Sequence, residues 1–234
     1  MRFLLAALVA FGGEATAVVP YADADSEMEA LTMGALDIER VQHSRRACSE
    51  ELSDLKQSFG KAELFWRVAN KIEVQAILSF RTRTSSRLAF DAAVASGSAA
   101  WKVAFAAFSP DLRKKYCFGF LALAKEQNQK IADRTPRVST YLGQYLQRNP
   151  LSDLALEEYD NLMGCAKAAA NKGFDYDKAE AACRCRWAVF REMLTKAERA
   201  KFYDMTSDPK ALLEWPPGQR VLEPMTACSR KHLG

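Results

Sequence analysis

Six cysteines, two histidines and one short run of carboxylates carry most of the chemistry available to this chain. Cys48, Cys117, Cys165, Cys183, Cys185 and Cys228 could serve as metal ligands, as a redox pair or as disulfide partners. Thiolate ligation of a metal calls for paired Cys-x2-Cys units or histidines close by, and neither spacing occurs. The Cys-x-x-Cys of redox exchange and the Cys-x-x-Cys-His of covalent haem attachment are also missing. No metal and no cofactor is therefore expected, and the cysteines read as structural bridges.

Six cysteines permit fifteen pairings by arithmetic alone. Helix geometry narrows them. If Gly173-Phe174 is the tip of an antiparallel hairpin, Cys165 and Cys183 stand nine positions either side of Phe174 and face one another. Cys185 points about 200° away from Cys183 on the same helix, toward a different partner. Cys228 is the favoured one, because it would tie down the tail. Cys48 and Cys117 remain, joining the first helix to one begun at Pro110. Bridges closing loops of these lengths add about 3 to 4.5 kcal/mol each on the chain-entropy argument.

Acid and base chemistry is thinly provided. Glu157, Glu158 and Asp160, with Tyr159 between them, are the catalytic candidates for a carboxylate-based hydrolase of cell-wall or glycan substrates. Acidic residues near a helix start are also what the helix dipole favours. His43 lies in a charged helix and reads as a solvated surface residue, and His232 reads as tail. No glycine-rich phosphate loop is present. Arg81, Arg83 and Arg87, and Arg113-Lys114-Lys115, form basic clusters, but neither a strongly basic domain nor a nucleic-acid module accompanies them, so no nucleic-acid partner is expected. Of Arg184 and Arg186, at least one should pair with a carboxylate. Trp66, Trp101 and Trp187 read as core; Trp215, before Pro216-Pro217-Gly218, is expected to pack the tail onto the body.

The elements that must position these residues are helical. Persuasive period-two alternation is lacking, and helix caps recur: Ser26 with Glu29, Ser109-Pro110, Ser152, Asp175 or Asp177, and Thr195 with Glu198. The expected fold class is all-α, a disulfide-stapled multi-helix bundle with about 7–8 helices in the mature chain. One helix is expected to run from Ser26 to about Gln57 and a second from Lys61 to Phe80. The nearly apolar stretch from Leu88 to Phe108 contains Asp91, Ser96-Gly97-Ser98 and Lys102, and reads as a buried helix pair in place of a membrane span. Pro216-Pro217-Gly218 should stop the last helix.

Residues 1–17 have the pattern of a cleaved secretory leader, with Arg2, an apolar core from Phe3 to Phe11, and Ala15-Thr16-Ala17. The mature chain, 18–234, is expected to be a single all-helical domain with a sub-boundary near 135–136, in the periplasm or outside the cell. Losing Arg2 and Glu14 from 33 basic and 29 acidic residues leaves the net charge at +4, too mild to imply a nucleic-acid or membrane partner. The function expected is that of a non-catalytic helical protein that binds another protein, of adaptor, inhibitor or toxin-neutralising type.

Overall fold

The computed structural model describes residue 24, residues 26–125, residue 131 and residues 136–234. Residues 1–17, expected from the sequence to be a leader, lie outside the described residues, as does Thr135 of the expected sub-boundary. The chain divides into two compact units, Met1–Leu156 and Glu157–Gly234.

All the regular structure among the described residues is helical, but the 7–8 helices expected become eleven α-helices and one short 3-10 turn. In the first unit these are α1 (Glu27–Glu51), the turn Ser53–Leu55, α2 (Lys56–Ala69), α3 (Lys71–Arg83), α4 (Arg87–Ala106), α5 (Pro110–Lys125) and α6 (Pro136–Arg148). Then follow α7 (Asp153–Asn171), whose first turn holds the unit boundary, α8 (Tyr176–Met193), α9 (Lys196–Met205), α10 (Pro209–Glu214) and α11 (Pro216–Leu233).

Two features account for the higher number. The chain expected to be one helix from Lys61 to Phe80 is divided at Asn70 between α2 and α3. The buried Asn70 side chain donates to the Trp66 carbonyl and accepts from the Ile131 amide, so it competes with the backbone ladder. At the other end, α10 stops at Glu214 ahead of Pro216-Pro217-Gly218, but Pro216 also opens a further helix, α11, because a first-turn proline lacks only an amide hydrogen that has no helical partner anyway. The boundary between the first two helices also shifts: α1 ends at Glu51, and α2 starts at Lys56 after the 3-10 turn Ser53–Leu55.

One expected break is absent. Ser96-Gly97-Ser98 lies within the continuous helix α4. A Cβ on Gly97 would sit 2.5 Å from Leu36 Cδ2, so the glycine serves the close approach of α4 to α1. Nor is the stretch buried throughout: only Phe90, Ser98 and Phe105 of α4 are fully covered.

In the first unit α1 packs against each of α2 to α6. Being surrounded, it buries residues on several sides, among them Leu31, Val41 and Cys48 and the polar Asp37, Ser44 and Arg45. Cys48 and Cys117 are bonded, with Cα atoms 5.3 Å apart, at the centre of a cluster containing Phe59 and Phe105. Behind them lies a buried charge network. Glu63, 1 % exposed, accepts from Arg45 Nε at 2.6 Å and Arg67 Nε at 2.8 Å.

In the second unit Gly173, at φ 85°, closes α7. Its amide donates to the Ala170 carbonyl and the Phe174 amide to that of Ala169, the paired bonds that end a helix on a left-handed residue. Asp175 then caps α8, accepting from the amides of Asp177 and Lys178. Across this hairpin Cys165 is bonded to Cys183, and Cys185 is bonded to Cys228 of α11. Those are the partners that hairpin symmetry and helix rotation favour. Thr195 and Glu198 form the reciprocal capping box of α9. The interior Pro224 of α11 costs a helix about 3 kcal/mol, and the bridge at Cys228 holds α11 against α8 beyond it.

Replacing Glu63 by Gln should lower stability by about 3 to 5 kcal/mol, since two buried guanidinium groups lose their shared charge; urea unfolding measures it, and a loss under about 1 kcal/mol would refute the structural role. The double substitution Cys185→Ser and Cys228→Ser opens a 43-residue loop and should cost about 4 kcal/mol. Limited proteolysis should then cut first within α11.

Candidate functional site

The carboxylate candidates share helix α7, but they are not equivalent. Glu157 is engaged by Arg199 through both oxygens, at 2.8 and 3.0 Å. Arg199 is itself fully used: it is 6 % exposed, donates to the Leu194 carbonyl and lies 5.9 Å from the centroid of Trp187. This bidentate pair fastens α9 to α7 and leaves Glu157 as an anchor. Asp160 is exposed and acts electrostatically on Tyr203, and Glu158 is part-exposed on the same helix.

Tyr203, on α9, has its hydroxyl pKa pushed up to about 12, chiefly by burial, against a hydrogen bond from Asn161 that acts the other way. The phenol is therefore neutral at physiological pH. Asn161 is held in turn by donating to the Glu157 carbonyl.

These groups border a cavity of about 170 Å³ wholly within the second unit. Trp187, Phe190, Phe202 and Tyr203 supply aromatic walls, and the Cys165–Cys183 bridge closes part of the lining. The ring of Phe190 meets that of Phe202 edge-on at 4.9 Å. Asn161 and Arg186 add polar groups. Arg184 pairs with Glu180 at 2.6 Å, whereas Arg186 has no acceptor among the described residues. Burial lowers the pKa of Arg186 from its ordinary value. The indole N–H of Trp187 is also buried without an acceptor.

The first unit organises its polar groups differently. His43 is part-buried, with Nε2 2.6 Å from Ser98 Oγ and 3.4 Å from Glu39, and its ring stacks on Trp101 at 6.1 Å. It is thus less solvated than the sequence suggests, because α4 covers it. His232 sits in the last turn of α11. Arg113 is bound to Glu51 at 2.8 Å and to the Phe108 carbonyl, leaving Lys114 and Lys115 exposed. Arg81 and Arg87 share the single carboxylate of Asp91. Trp66 is core, Trp101 is part-buried, and Trp215 is half-buried with Lys201 Nζ 5.3 Å from its ring.

No group of three or more histidine, cysteine or acidic side chains placed to hold a metal occurs among the described residues. Among the same residues, no helix is long and apolar enough to cross a membrane.

Burial, and next the charge of Lys102, lower the pKa of His43 below 6.5; Glu39 opposes them and Arg46 adds to them. The unfolded chain then takes up a proton that the folded chain resists as pH falls through 6.5, so stability rises with pH across that window and is lost on acidification. His43→Gln should reduce the fall in urea midpoint between about pH 7.5 and 5.5; an unchanged fall would remove His43 as its source. Comparison of the chain with protein-family models, curated proteins and solved structures finds no match.

Proposed function

We propose that this chain is a non-catalytic, disulfide-stapled protein of the periplasm or extracellular space that binds another protein through the outer face of α4. The observation that carries the reading is the exposure of Leu88 at 87 % and Val103 at 70 %. They lie fifteen residues apart on α4, about 60° apart around its axis and some 22 Å apart along it. Between them Ala92, Ala95 and Ala99 are exposed at helix-face spacing. Alanine needs no partner to favour a helix; the exposed leucine and valine that flank it on the same side support reading this face as a contact surface.

Small side chains allow a second helix to approach closely, at the short end of the usual 8 to 10 Å. At the N-terminal end of α4, Arg81 and Arg87 share the one carboxylate of Asp91, and Arg83, at the end of α3, is exposed. The occupant that fits is an amphipathic helix of a partner protein, apolar on its contact face and acidic where it meets those arginines. The leader-like residues 1–17 and the three disulfides support placement in an oxidising compartment.

A photo-crosslinking residue at Val103, introduced into the full chain in its native compartment, should give one discrete heterologous adduct that Leu88→Glu and Arg83→Glu suppress. The same probe at exposed Leu213 should not give it. Adduct formation that is indifferent to both substitutions, or an adduct with twice the mass of the chain, would overturn the proposal; the latter would make a second copy the occupant. Unfolding midpoints of both variants should stay within about 0.5 kcal/mol of the parent.

A further inference from the structure

The cavity of the second unit combines features that protein interiors normally keep apart. Its volume, about 170 Å³, is close to that of cavities that take up a single benzene-sized ring. Most of its lining residues are aromatic or carry sulfur. Into this lining come a guanidinium without a carboxylate and, on the next residue, an indole that is 5 % exposed with no acceptor for its N–H.

Buried polar groups are almost always satisfied, and an isolated one costs free energy comparable to a lost hydrogen bond. Four other arginines of this unit show the contrast, and Arg191 is exposed on the surface. Arg199 has Glu157, Arg184 has Glu180, Arg220 has Glu198 and Arg230 has Glu223. Arg186 alone among these cavity and neighbouring arginines faces an apolar lining.

We propose that the cavity binds a small carboxylate carrying a single apolar ring or branched chain. Its two oxygens meet the Arg186 guanidinium in the fork arrangement that planar donors favour. Its apolar body lies among Trp187, Phe190 and Phe202. The neutral hydroxyl of Tyr203 and the amide of Asn161 add hydrogen-bonding capacity without adding a negative charge that would repel the ligand. This site is separate from the α4 surface and does not depend on it.

Benzoate is the probe, with benzyl alcohol as its uncharged counterpart, titrated into the full disulfide-bonded chain. The readout is the indole N–H resonance of Trp187, assigned by Trp187→Phe. Benzoate should saturate with a dissociation constant of about 1 mM or tighter, as the size of the ligand allows. Benzyl alcohol should bind about tenfold more weakly or less, and Arg186→Gln should bring benzoate down to that level. Arg186→Lys, which keeps the charge but not the fork, should fall between the two.

Absence of saturation up to about 10 mM benzoate, equal affinity for the alcohol, or unchanged affinity in R186Q would each overturn the proposal. Should R186Q fail to fold, the comparison of benzoate with benzyl alcohol on the unmodified chain decides it.

Discussion

The first unit depends on one carboxylate. Glu63, inside α2, binds Arg45 of α1 and Arg67 one turn further along α2, and all three are almost fully buried. A buried charge is tolerated only when oppositely charged hydrogen-bond partners surround it. Arg45 therefore cannot move without leaving Glu63 short of a donor, and the helix that carries it is fixed in rotation against α2. Since α1 is the helix on which α2 to α6 converge, that fixed rotation sets the arrangement of the whole unit. The Cys48–Cys117 bridge acts on the same helix one turn away and adds α5 to the constraint.

Much of the local architecture was legible in the sequence because its causes are local. The capping box of Thr195 and Glu198, the left-handed stop at Gly173 and the cap at Asp175 each act within five residues. Where the reading failed, the deciding contact came from far along the chain. Asn70 interrupts a helix because Ile131 occupies its side chain, and Gly97 reads as a break in the sequence although its role is to admit Leu36. Pro216-Pro217 reads as a stop, yet residues that end one helix can also begin another.

The same division holds for the candidate sites. Glu63 and Arg67 are spaced as an ion pair on a helix, but nothing in the sequence marks Arg45 as the third member. Glu157 looked available for chemistry because Arg199 lies 42 residues away. That one of Arg184 and Arg186 would pair was evident from their alternation with Cys183 and Cys185. Which one pairs, and that the other lines an aromatic cavity, emerges only when α9 and α11 are in place around α8.

The two bridges of α8 have a consequence beyond holding its neighbours. A single tether leaves a helix free to roll about its own axis, like a rod on one string. Bonds leaving Cys183 and Cys185 in nearly opposite directions remove that freedom, because any roll toward one partner is a roll away from the other. Arg186 and Trp187 follow directly on Cys185, so the direction in which each side chain leaves the helix is locked covalently. Arg186, the proposed anchor, is thereby held in one orientation, and a carboxylate entering the cavity would have no helix to reorient.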